Sequence, residues 1–144
     1  MNKSGRVLAA IGLVCMALSA VVAGAGVWGV KRAENRVFEL RAYTPHPGKM
    51  TGLQSRFRDH TVELFKKHGI TNIGYWVTMD NKEGEPKLIY LLAHKSKEAA
   101  SAGFREFGAD PEWQKARSES EKDGPLVAKV ESVFLSPTDF SPIK

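Results

Sequence analysis

Two short stretches of this sequence hold side chains that could do chemistry together. Arg41 and Tyr43 lie two apart in Val37–Tyr43, and Tyr90 and His94 lie four apart in Lys87–His94. Both spacings keep a pair on one face of an extended strand. With Trp76 from a third stretch they would make an aromatic wall carrying a few polar groups, the usual make-up of a small-ligand site. Ordinary sheet packing, with polar tips at the rim, accounts for the same residues.

His60 is the one catalytic candidate. It falls between Phe57 and Leu64 on the apolar stripe of a helix, so it is expected to face the sheet. A neutral imidazole there could act as a base near pH 7. A core histidine bonded to a backbone carbonyl or a strand tyrosine is the favoured alternative. Glu39, Arg41, Lys129 and Glu131 alternate charge on two strands expected to be neighbours. They read as cross-strand ion pairing or dimer register in preference to a buried acid/base set.

Other chemistries lack their residues. His60, Glu63 and His68 do not match metal-ligand spacing such as H-E-x-x-H, so no metal is expected and no cofactor is called for. Gly24-Ala-Gly-Val-Trp-Gly29 fits G-x-G-x-x-G in form only, because it does not join a strand to a helix. There is no G-x-S-x-G and no P-loop. Cys15 is the single cysteine and lies near the N-terminus, which leaves the rest of the chain without disulfides or a thiolate nucleophile.

The elements that would position these residues follow from hydrophobic period. Val37–Tyr43 alternates as a strand and stops at Thr44-Pro-His-Pro-Gly48. From Lys49 to His68 the apolar residues Met50, Leu53, Phe57 and Leu64 recur at helical spacing, and Gly69 ends the run. Asn72–Met79 and Lys87–His94 read as strands joined by a polar loop, Asp80–Pro86. Ser96 caps a helix to about Phe107, and Asp110-Pro111-Glu112 opens another. Val127–Leu135 is the fourth strand, followed by a tail.

That order, β-α-β-β-α-β with the second helix broken, predicts an α+β, ferredoxin-like fold with a four-stranded antiparallel sheet. One strand parity is apolar: Phe38, Leu40 and Ala42; Ile73, Tyr75, Val77 and Met79; Ala128, Val130 and Phe134. The other is mixed, yet Tyr43, Trp76, Val133 and Leu135 make it too apolar to leave in water. A second copy of the chain would cover it, so a homodimer is expected.

The first thirty residues are of another kind. Lys3 and Arg6 precede an uncharged run from Val7 to Val30, and Ala23-Gly24-Ala25 follows its most apolar part. This is the order of a secretory signal, residues 1–25, with a tether at 26–36 and the domain at 37–144. Export to the periplasm or beyond is expected. The alternative is an uncleaved anchor over residues 7–30, long enough to span a bilayer. Without Lys3 and Arg6, 19 of the 21 basic residues face 16 acidic ones. No Lys/Arg run of nucleic-acid type occurs, which argues against a nucleic-acid partner.

Several strings resemble the NIPSNAP family. They are Val37-Phe-Glu-Leu-Arg41 with Tyr43, His46-Pro-Gly-Lys49, Phe57-Arg-Asp-His-Thr61, Lys67-His-Gly69, Gly74-Tyr-Trp76, Ile89-Tyr-Leu-Leu-Ala-His94 and Asp110-Pro-Glu-Trp113. Val130-Glu-Ser-Val-Phe-Leu135 and Pro137-Thr-Asp-Phe-Ser-Pro142 close the set, in order, over residues 37–144. The resemblance implies a dimeric α/β-barrel, in which two ferredoxin-like sheets close face to face. The animal members it implies are mitochondrial, and the leader here departs from them. Two functional readings follow. One is a homodimeric module, without defined catalysis, that binds a small molecule or a protein. The other, by fold analogy, is a cofactor-independent oxygenase or isomerase with its site between the first helix and the sheet.

Overall fold

The protein is described here by a computed structural model that covers residues 36–79, 84 and 86–144. The leader, the tether through residue 35 and most of the Asp80–Pro86 loop lie outside the described residues, so the expectations placed there are not addressed by the fold. No helix among the described residues is long and apolar enough to cross a membrane.

Four strands form one antiparallel sheet: β1 (Val37–Pro45), β2 (Thr71–Val77), β3 (Leu88–His94) and β4 (Val127–Leu135). Their spatial order is β2-β3-β1-β4. Helical segments connect β1 to β2 and β3 to β4, which gives the ferredoxin-like, split βαβ plan that the sequence predicts. The first connection is a continuous helical run of α1 (Met50–Arg56), a wide π turn (Phe57–Thr61) and α2 (Val62–Lys67). The second is α3 (Lys97–Ala109) and α4 (Pro111–Ser120).

Helix ends follow the local chemistry read from sequence. The Ser96 hydroxyl accepts from Ala99 N–H, and the Asp110 carboxylate accepts from Glu112 N–H with Pro111 at the first helical position. At the end of α2, Gly69 takes a φ of 71°. Ile70 N–H then reaches Phe65 O at 2.9 Å and Gly69 N–H reaches Lys66 O at 3.1 Å, a Schellman closure sealed by buried Ile70.

The helices pack on the face that carries Tyr90, Leu92 and Leu88, which join Leu53, Phe57, Leu64, Phe65 and Phe107 in one core. Register decides what else lies on that face. Arg41 pairs with Tyr90 on one side and Ser132 on the other, and Glu39 pairs with Leu92 and Phe134. The covered face therefore holds Glu39, Arg41 and Tyr43. The free face holds Phe38, Leu40, Ala42, Ile89, Leu91, Trp76, Val133 and Leu135. This corrects the grouping by residue parity. Parity holds within a strand but says nothing about the neighbouring strand, and a bulge between Asn72 and Gly74 shifts β2 by one residue. Tyr43 and Trp76, placed together by sequence, lie on opposite faces, and it is the more apolar face that stays uncovered. The C-terminal segment folds back over one end of it, where Pro137 and Ile143 stand beside Phe38 and Leu91.

His60 is a second correction. It is exposed, on the outer side of the helical run, in a groove against α4 with Glu112, Lys115 and Glu119. The buried positions are Leu53, Arg56, Phe57, Thr61, Leu64 and Phe65. A π turn holds one residue more than an α turn, so the phase slips: Thr61 turns inward where a 3.6-residue period puts His60. Neither the core histidine nor the sheet-facing base stands.

Candidate functional site

β1 supplies the centre of the site because its alternation places Glu39 and Arg41 together under the helices. Glu39 is 2% exposed and its carboxylate accepts three hydrogen bonds. Oε1 accepts from Arg41 Nη1 at 2.6 Å and from Ser132 Oγ at 2.5 Å. Oε2 lies 3.0 Å from Nε2 of buried His94. Burial alone would raise the Glu39 pKa. The hydrogen bonds from His94 and Ser132 and the charge of Arg41 outweigh it and hold the carboxyl at about 2, against an ordinary 4.5. A carboxylate has no proton to give, so His94 donates through Nε2–H.

Arg41 is thereby fixed at one end. Burial works against its charge, but neighbouring Tyr90, Tyr43 and Glu39 oxygens more than compensate, and its pKa lies above the ordinary arginine value. Its guanidinium stands 4.5 Å over the Phe104 ring, within cation–π reach. Glu39 and Arg41 do not form a set with Lys129 and Glu131, as their alternation suggested. Lys129 and Glu131 pair with each other at 2.9 Å, and Lys87 joins Glu131 at 3.0 Å, on the free face.

A cavity of about 330 Å³ opens between the helices and the β1–β4 half of the sheet. Arg41 and Tyr43 line it from below; Arg56, Phe57, Phe104 and Trp113 line it from the helices, and Ala128 and Val130 from β4. Arg56, 5% exposed, enters from the last turn of α1. Its Nη1 donates to Glu121 Oε1 at 2.7 Å and to Ser120 Oγ at 3.3 Å, and its Cζ lies 5.2 Å from the Trp113 ring centre. Among the described residues, neither Arg41 Nε nor Arg56 Nε meets a hydrogen-bond acceptor, and the Tyr90 hydroxyl also has no partner. Burial pushes the Tyr90 pKa well above the ordinary 10.0, so it stands as a neutral phenol.

Of the six residues read from sequence as ligand-lining, four share the covered face. Arg41 and Tyr43 line the cavity. Tyr90 packs beneath, its ring centroid 5.2 Å from those of Tyr43 and Phe57. His94 acts one step back, through Glu39. Trp76 lies on the free face, 55% exposed, and His60 lies outside the helices. Arg56, Phe104 and Trp113 were missed. A signal for Arg56 existed: it stands three residues after Leu53 on the apolar stripe, where a charge needs a reason.

The sequence profile of the NIPSNAP family matches residues 38–142. The chain belongs to the NIPSNAP family. Its fold is similar to that of a NIPSNAP family protein of unknown function from Agrobacterium tumefaciens, with a TM-score of 0.64 at 20% identity over 78% of this chain and 96% of that one. A second NIPSNAP family protein from Agrobacterium tumefaciens gives a TM-score of 0.65 at 24% identity, over 76% and 99% of the two chains. A NIPSNAP-like domain protein from Burkholderia xenovorans gives 0.64 at 21% identity, over 76% and 90%. At such identities the likeness speaks for the fold alone. Comparison with proteins of curated function gave no significant match.

What this NIPSNAP site can do chemically follows from its protonation states. A carboxyl held at about 2 is a weak base near neutrality, and three of its roughly four lone-pair sites already accept a donor. The Ser132 hydroxyl gives its proton to Glu39 and has no histidine acting on it as base, so the serine–histidine–acid logic of nucleophilic catalysis is not assembled.

Proposed function

We propose that this NIPSNAP chain is an exported homodimeric module that binds a small molecule in the cavity between helices and sheet, with no covalent step. One observation carries the reading: a roughly 330 Å³ cavity walled by aromatic rings into which two arginines, each with an unpaired donor, are built. A buried N–H without an acceptor costs about 1–3 kcal/mol, so a fold that keeps two of them beside a cavity is suited to a ligand that supplies acceptors. The uncovered apolar sheet face supports the homodimer, and the leader ending in Ala23-Gly-Ala25 supports export.

The test is native mass spectrometry of protein isolated from its own host. A homodimer carrying a stoichiometric small molecule, lost from an Arg56→Met variant, is the expected result. A homodimer free of any small molecule, and unaffected in melting temperature by a broad metabolite panel, would refute the binding role.

A further inference from the structure

This inference rests on the ligand-binding role proposed above and names the chemistry of the ligand. We infer that the cavity takes a small aromatic monocarboxylate, its carboxylate held by Arg41 and Arg56 and its ring lodged beside Phe104 and Trp113.

The donors exclude most alternatives. A guanidinium carries five N–H groups, accepts nothing and stays protonated. A group that binds two of them must be an acceptor, and an anion binds most strongly. Both protein hydrogen bonds of Arg56 leave from Nη1, so the Nε/Nη2 edge still has donors to give. Arg41 sends one N–H of Nη1 to Glu39 and one of Nη2 to the Tyr43 hydroxyl at 3.4 Å, which leaves Nε–H and a second N–H on each amino nitrogen. Planar N–H edges match the two oxygens of a carboxylate.

Charge sets the number of negative charges. Each guanidinium is already paired with one carboxylate, Arg41 with Glu39 and Arg56 with Glu121. Arg117, also on the cavity wall, shares Glu121 with Arg56, so one carboxylate there answers two guanidinium groups and the balance is positive. That modest surplus suits a monoanion. A phosphate dianion carries more hydration to strip than two half-neutralised arginines offset. Size and lining set the rest. The volume lies at the small end of ligand sites, and Phe57, Phe104 and Trp113 make the wall aromatic. One or two fused rings bearing one carboxylate meet all of these conditions.

The experiment compares 2-naphthoate, 2-naphthamide and 2-naphthyl phosphate by calorimetric titration of the protein isolated from its host. Trp113 fluorescence is the second readout, with Trp113→Phe as its control. The naphthoate should bind one per chain and more tightly than the amide by a factor on the order of 10–100. Arg56→Met should abolish that preference. Because Arg56 is buried and paired, the variant could lose stability, and the acid-against-amide comparison on the unaltered protein decides the matter without it. Equal binding of acid and amide would overturn the anion assignment and leave the ligand-binding role intact. Tighter binding of the naphthyl phosphate would overturn the monocarboxylate. No binding of any probe would overturn the inference; if the protein also carries no small molecule from its host, the ligand-binding role falls with it.

Discussion

Arg41 presents a defined edge to the cavity because Glu39, two residues before it on the same strand face, holds one of its amino groups and is itself held by His94 and Ser132. Glu39 is thus a positioning residue, and its depressed pKa gives it a pH signature. A carboxyl lowered from 4.5 to about 2 on folding contributes stability that is complete above about pH 4.5 and disappears as pH falls towards 2. Glu39→Gln should therefore cost about 3 kcal/mol at neutral pH and flatten the loss of melting temperature between pH 4.5 and 2. Urea midpoints across that range test it, and parallel acid limbs in parent and variant would count against the network. His60 offers the contrast. Being exposed, His60→Ala should fall within about 0.5 kcal/mol of the parent in urea denaturation, not the 1–3 kcal/mol of a core histidine. Residue chemistry was legible where one strand carried it: period two on β1 and on β3 grouped Arg41 with Tyr43 and Tyr90 with His94. It was illegible for Arg56, Phe104 and Trp113, which meet only through tertiary packing.

Element order was readable because caps, glycines and period changes are local: Ser96, Asp110-Pro111 and Gly69 mark helix ends by what their own atoms bond. Phase within an element was not. The π turn at Phe57–Thr61 leaves no mark in hydrophobic period, and it decides that Arg56, Phe57 and Thr61 line the cavity while His60 does not. Thr61 accompanies this turn by donating from its hydroxyl to Arg56 O at 3.2 Å. Packing between the two connections is close at one place. A Cβ on Gly103 of α3 would stand 2.9 Å from the backbone oxygen of His68 and 3.1 Å from the Ile70 side chain. The first is backbone at a Schellman closure and cannot yield as a flexible side chain would. Gly103→Ala should cost about 1–3 kcal/mol despite the better helix propensity of alanine, read as a lowered melting temperature. A melting temperature at or above the parent's would show that α3 can slide along the end of α2. The same junction is tied electrostatically, since Asp110 at the start of α4 lies 2.7 Å from His68 Nε2 and 2.9 Å from Lys67 Nζ.

At the scale of the whole molecule the two proposals to test are the fate of the leader and association with a second copy. Cleavage after Ala25 would leave a mature N-terminus at Gly26, to be read by N-terminal sequencing of protein from its host; intact Met1 in the membrane fraction would replace the signal with an anchor. The second copy is argued from the free sheet face. Trp76, Val133 and Leu135 on it are 55%, 50% and 40% exposed, around central Leu40 and Leu91. A face of that character is seldom left in water, and a sheet is best covered by another sheet. Trp76 adds shape to the argument. Its ring lies against Gly74, where a Cβ would come within 2.5 Å of it, so the glycine leaves room for the bulkiest side chain of the face close to the strand. Gly74→Ala should lift Trp76 from the sheet and weaken association while leaving the helix-covered core untouched. Leu40→Glu should act more strongly, because Leu40 lies at the middle strand between Leu91 and Val133 and a two-fold interface would bury the new charge twice. Light scattering at micromolar concentration should give a dimer for the parent, a raised dissociation constant for Gly74→Ala, and a folded monomer with unchanged far-ultraviolet dichroism for Leu40→Glu. A monomeric parent, or a Leu40→Glu protein that remains dimeric, would place the interface elsewhere or remove it.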